Sequence, residues 1–161
     1  MLPGEATLRV GRKRFELFLM PGGKLEVTIN LPEIFWSESH LFGKKENGQL
    51  IWFEGTYAAL NTELVKHAGL MNIYSADNFY ENICGVTPAQ YKKYVTKIYE
   101  KNRGEILKNK SLSDAARTYM INKLEMSYFF AIRGYKGNIS YAPMISGKKG
   151  VKRADMTVDE S

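Results

Sequence analysis

The chain is short of the residues that most chemistry needs. One cysteine, Cys84, stands among its 161 residues, which excludes an internal disulfide and any thiolate cage for zinc or an iron–sulfur cluster. Two histidines, His40 and His67, fall in no H-E-x-x-H or related ligand spacing. The phosphate-cradling patterns G-x-x-x-x-G-K-S/T and G-x-G-x-x-G are both missing, and Gly22-Gly23 is a turn between strands with no helix behind it to receive an anion. No Gly-x-Ser-x-Gly elbow supports a serine nucleophile. No apolar run reaches the roughly 18 residues of a membrane span. The opening MLPGEATLRV has neither a basic n-region nor an apolar h-region, so no signal peptide is expected in this segment.

What is present describes an ordinary folded chain, 44% hydrophobic and 25% charged, with a net charge of +6. Ten tyrosines, eight phenylalanines and two tryptophans supply bulk for a core. A chain of this length buries about 70% of its unfolded surface and needs no metal or disulfide staple.

The first third reads as strands. Ala6–Val10 and Arg14–Met20 flank Gly11-Arg12, a pair suited to a two-residue hairpin turn because glycine accepts positive φ. After Pro21-Gly22-Gly23, Lys24–Leu31 alternates strictly, with Leu25, Val27, Ile29 and Leu31 on one face. Pro32 is expected to end this strand and open an irregular connection over 33–48, with Gln49–Phe53 as a further short strand.

From residue 55 the period becomes helical. Tyr57, Leu60, Leu64 and Ala68 share a face, with Gly69 as the expected helix stop. Ser75 is expected to cap a short helix containing Phe79 and Ile83, closed by Gly85. Thr87-Pro88-Ala89-Gln90 is a capping box with proline at the first helical position, ahead of an inward stripe of Tyr91, Tyr94, Val95 and Ile98. Gly104 predicts a bend or break. A last helix opens at Ser111–Asp114 with Leu112, Ala116, Tyr119, Met120, Leu124, Tyr128 and Ile132 along one side, ending at Gly134. The expected fold is α+β: a small antiparallel β-sheet followed by a helical subdomain of three to four helices. The boundaries drawn from sequence are a β-rich lobe over 1–54, a helical lobe over 55–134, and a flexible tail or interdomain linker over 135–161.

Few residues invite a chemical role. Cys84 precedes Gly85 at a helix C-terminus, where the dipole disfavours a thiolate, so a buried, inert cysteine is expected. His40 lies in a loop rich in turn signals, and His67 at a helix end that suits a partly charged imidazole. The carboxylate pairs Glu33/Glu38 and Glu54/Glu63 show no spacing that demands acid–base work. A hydrolase of scattered Ser, His and acidic residues has no motif behind it. No catalytic, cofactor-binding or metal site is expected. Segment 91–110 holds seven basic residues against two acidic ones, a surplus of +5. Its Lys92, Lys93, Lys97 and Lys101 form the candidate surface for an anionic partner, with tyrosines interleaved as a nucleic-acid surface uses them. The four-residue recurrence of Lys93, Lys97 and Lys101 opposite Tyr94–Ile98 is equally that of a solvated helix face, which is the favoured reading over nucleic acid.

Two stretches, FLMPGGKLEVTINLPEI (18–34) and IWFEGTYAALNTEL (51–64), resemble the region ahead of the catalytic domain in thioredoxin-like thiol–disulfide reductase proteins of the Bacteroidetes cell envelope. The resemblance covers most of residues 15–133. The family's Cys-x-x-Cys lies in its downstream domain and has no counterpart here, so no catalytic position carries over. The resemblance implies a non-catalytic accessory module in the cell envelope or periplasm, an excised segment that positions a covalently linked redox domain or binds its protein partner. The alternative is a free-standing binding protein that holds an anionic partner on the basic helix 91–110.

Overall fold

Antiparallel pairing organises the N-terminal part of the computed structural model, which describes residues 4–38 and 48–146. Strands β1 (Gly4–Val10) and β2 (Lys13–Leu19) form a hairpin in which Val10 pairs Lys13 and Gly4 pairs Leu19. The two residues between them are Gly11-Arg12, and Gly11 takes the expected left-handed conformation at φ 58°. Strand β3 (Leu25–Ile29) pairs with β4 (Ile51–Gly55), Leu25 against Gly55 and Ile29 against Ile51. There are thus two two-stranded sheets rather than one. Their registers place Leu8 opposite Phe15, Ala6 opposite Leu17 and Val27 opposite Phe53. One apolar face on each ribbon follows, and these faces meet in a core of Phe15, Leu17, Ile34 and Ile51, flanked by Ala6, Leu8, Val10, Val27, Ile29 and Phe53. Each fully buried side chain of this kind contributes about 1.5–3 kcal/mol.

Pro32 does not open an irregular connection. It sits in the first turn of α1 (Leu31–Glu38), where a missing N–H costs nothing. Asn30 starts the helix: its side-chain Oδ1 accepts from the Glu33 N–H at 3.2 Å, and its carbonyl accepts from Ile34 at 3.0 Å. Ile34 is thereby fully buried, while Leu31, expected to share the inner face of β3, is half exposed. Helix α2 (Ala58–Lys66) completes this unit, packing on β2 and β4. The first compact unit accordingly extends to His67, beyond the boundary at 54 that the change of period suggested. Gly69 is not a left-handed helix stop; it lies within a 3₁₀ turn, Ala68–Met71.

The second unit starts at Ala68 and is helical. A second 3₁₀ turn, Ile73–Ser75, is capped by Asn72, and the short helix α3 (Phe79–Asn82) starts from Asn78 in the left-handed region rather than from Ser75. Phe79 and Ile83 are both buried, Phe79 inside this helix and Ile83 as its C-cap rather than within it. Helix α4 (Pro88–Lys108) carries the full capping box: Gln90 N–H donates to Thr87 Oγ1 at 3.3 Å, and Thr87 N–H to Gln90 Oε1 at 2.9 Å. It runs unbroken through Gly104 for 21 residues, because about 1 kcal/mol of lost propensity is small beside the burial of Ile98, Asn102 and Ile106 around it. Helix α5 (Asp114–Arg133) is N-capped by the Ser113 hydroxyl and packs along α4. Arg117 fastens the turn before it, donating to the carbonyls of Asn109 (3.2 Å) and Leu112 (3.1 Å).

Gly134 ends α5, but the chain does not become a tail there. Residues Tyr135–Ile145 form α6, which buries Ile139 and Ala142 and packs on α3 and α5. The part of the expected tail from 147 onward lies outside the described residues.

Candidate interaction surface

The lysines singled out by sequence are all exposed, on α4. At 100° per residue, Lys93, Lys97 and Lys101 form one stripe, continued by Lys108, on the side opposite buried Tyr91, Val95, Asn102 and Ile106. Lys92 lies about 100° around the helix from Lys93 and about half a turn from Lys101, in line with Arg103. The four lysines therefore occupy two edges of the helix rather than one patch. Lys101 approaches Glu105 at 3.8 Å, and Glu100 borders the same stripe, so acidic groups dilute its field.

The interleaved tyrosines are engaged by neighbouring side chains. Tyr91 is buried, Tyr99 packs its ring on Tyr128 at 4.7 Å, and the half-buried Tyr94 hydroxyl accepts from Asn82 at 3.1 Å. Stacking of bases needs open aromatic faces beside the cations, and these rings are buried or half-buried against their neighbours.

Polar side chains inside the two units hold backbone. Asn61, fully buried on α2, accepts from Phe18 N–H at 2.7 Å and donates to the carbonyls of Phe18 (3.0 Å) and Tyr57 (2.9 Å). Asn102 donates to the Leu70 carbonyl at 3.2 Å. Ser127, within α5, accepts from Ile73 N–H at 3.0 Å. Tyr91 donates to the Ala131 carbonyl at 2.8 Å, and Asn138 donates to the Tyr91 hydroxyl at 2.8 Å and to that of Tyr74 at 3.3 Å. Burial pushes the Tyr91 hydroxyl up to about 12, opposed by the hydrogen bond from Asn138. The signal for Asn61 was in plain view: an asparagine among the apolar positions of a helix that must lie against a sheet edge.

The remaining candidates are dispersed. Cys84 lies between the end of α3 and Gly85, which has φ 76°, as the sequence placed it, but it is half-buried rather than buried. His67 is the C-cap of α2 and half-buried. Glu33 accepts from Gly48 N–H at 3.2 Å, which ties α1 to the residues before β4. Glu54 is exposed on β4 across from Glu26, and Glu63 is half-buried on α2. His40 and the side chain of Glu38 lie outside the described residues. No group of three or more His, Cys, Asp or Glu side chains suited to a metal ion occurs among the described residues, and no helix among them is long and apolar enough to cross a membrane.

One surface escaped the sequence reading. Met126, Phe129 and Phe130 of α5 and Tyr141, Met144 and Ile145 of α6 are each more than half exposed. The stripe drawn for α5 followed its inner face and ended there, although the run Leu124–Ile132 is apolar on nearly every side. In comparisons with known proteins, no family model, no curated protein and no solved structure matches this chain.

Proposed function

We propose that this chain is a non-catalytic accessory domain that works by holding a shape against another protein. One observation carries the reading: Asn61, Asn102, Ser127, Tyr91 and Asn138, all buried or half-buried polar groups, are each engaged in holding the backbone or one another. A catalytic constellation needs such groups converging on a shared reacting atom. The resemblance of residues 18–34 and 51–64 to envelope thioredoxin-like proteins adds the neighbour: a redox domain that this module positions or whose partner it binds, in the cell envelope.

The test is enzymatic and spectroscopic together. The purified chain is expected to add nothing to the rate at which dithiothreitol reduces insulin disulfides. Its amide resonances are expected to shift in one contiguous patch on titration with a purified thioredoxin-like domain of the envelope type. Turnover of disulfides by this chain overturns the non-catalytic reading; unchanged resonances overturn the assigned neighbour.

A second reading rests on Lys92, Lys93 and Lys97, which are exposed and form no ion pair among the described residues. They supply an anionic partner with cations on two edges of α4. Affinity for single-stranded nucleic acid or an acidic polymer that falls steeply between two salt concentrations supports it, and no binding at low salt removes it.

A further inference from the structure

Helix α5 is amphipathic in its first half and apolar on both sides in its second. The inner side buries Ala116, Met120, Leu124 and Ala131. The outer side begins with Ala115, Thr118 and Asn122, all exposed, and then carries Met126, Phe129 and Phe130 at 54%, 57% and 54% exposure. Their spacing of three and four residues makes them neighbours on one face, and the two phenylalanine rings meet edge to face with centroids 5.8 Å apart. A helix segment apolar all round is ordinarily covered. Glu125 and Arg133 bound this face, four residues before and four after Phe129. Both are exposed, with no ion-pair partner among the described residues.

We infer that this face is the contact between two copies of the chain, with α5 laid antiparallel on α5 about a two-fold axis through Phe129. The charge pattern names the occupant. Glu125 and Arg133 lie about 6 Å along the helix on either side of Phe129. A two-fold axis there sets Glu125 of each copy against Arg133 of the other, so both charges are answered twice by the same helix. An isologous contact requires such self-complementarity, whereas any other partner must bring the matching charges itself. The area agrees with a modest dimer. Rather more than half of three large side chains is on the order of 300 Å² of apolar surface per copy. With Asn122, Glu125 and Arg133 as rim, each copy buries roughly 500–600 Å², below the ~800 Å² per partner of a standard interface. The dimer is therefore concentration-dependent. This inference stands apart from the proposed function, since a second copy neither requires nor precludes a redox neighbour.

Sedimentation equilibrium of the whole chain, from about 1 to about 300 μM, tests it. The wild type is expected to pass from monomer to dimer across this range, and Phe129→Asp to stay monomeric throughout. Glu125→Arg and Arg133→Glu are each expected to weaken the dimer about tenfold or more, and the double variant to restore it. All these positions are exposed, and circular dichroism verifies that each variant keeps its helix content. A chain monomeric at every concentration overturns the inference. So does a dimer that survives Phe129→Asp, or one that the paired charge swap fails to rescue.

Discussion

A two-stranded sheet leaves an unpaired row of N–H and C=O groups along each strand, and at Phe18 on β2 a side chain meets that need. Asn61 accepts from the Phe18 N–H and donates to its carbonyl, as a neighbouring strand would, while reaching back to the Tyr57 carbonyl of its own helix. Replacing it by leucine keeps the volume and removes both of these hydrogen bonds to Phe18. Asn61→Leu is expected to destabilise the N-terminal unit by about 2–4 kcal/mol, read from the urea midpoint at constant slope. Tyr91 offers a prediction in pH. Its hydroxyl sits at about 12 in the folded chain and near 10 when unfolded. Below pH 10 both states are protonated and the stabilising effect is whole. Above it the unfolded chain loses its proton first, so stability falls as pH rises. The stability gap between wild type and Tyr91→Phe is expected to shrink by about 1 kcal/mol between pH 10 and 11, measured by denaturation at each pH. A gap that widens contradicts the burial argument.

Among the elements, two glycines show opposite consequences of adding one methyl group. Gly104 lies in mid-helix with ordinary backbone angles and open space where a Cβ would sit. Gly104→Ala is expected to raise stability by about 0.5–1 kcal/mol. Gly55 ends β4 at φ 105°, and a Cβ there would run into the Lys24 carbonyl oxygen. Gly55→Ala is expected to lose more than about 1 kcal/mol, through strain and a damaged β3–β4 end; both shifts are read in thermal melts. What made elements legible in the sequence was locality. The α4 cap needs only Thr87 and Gln90, and the β1–β2 hairpin needs only Gly11 and two alternating flanks. Helix α1 was hidden because its start depends on Asn30 folding over Glu33, while Pro32 after an alternating strand looks like a stop. Helix α6 was hidden because Gly137 and Pro143 look like linker residues, and its burial comes from α3, more than fifty residues earlier in the chain. The lysine stripe of α4 was legible in the same local sense. Spacing alone drew Tyr94 inward, but the partners that engage the Tyr94 hydroxyl and the Tyr99 ring, Asn82 and Tyr128, lie outside the helix, where no spacing within it reveals them.

At the scale of the whole molecule, the chain divides after His67 into two units, each with its own interior. Phe15, Leu17, Ile34 and Ile51 close the first. Ile73, Tyr91, Val95, Ile106, Met120 and Leu124 are fully or nearly fully buried in the second. Long-range side-chain hydrogen bonds tie each unit internally: Asn61 to Phe18 lies within the first, while Tyr91 to Ala131, Asn102 to Leu70 and Asn138 to Tyr74 lie within the second. Stabilities held in separate cores need not fall together. Hydrogen exchange read by mass spectrometry separates the two possibilities. In Asn61→Leu, amides of β1, β2 and α2 are expected to lose protection by the full destabilisation, on the order of 30-fold or more for 2 kcal/mol, while amides of α4 and α5 keep their wild-type rates. Loss of protection spread evenly from Gly4 to Ile145 would mean that the chain folds as one cooperative body, with Asn61 a support for all of it.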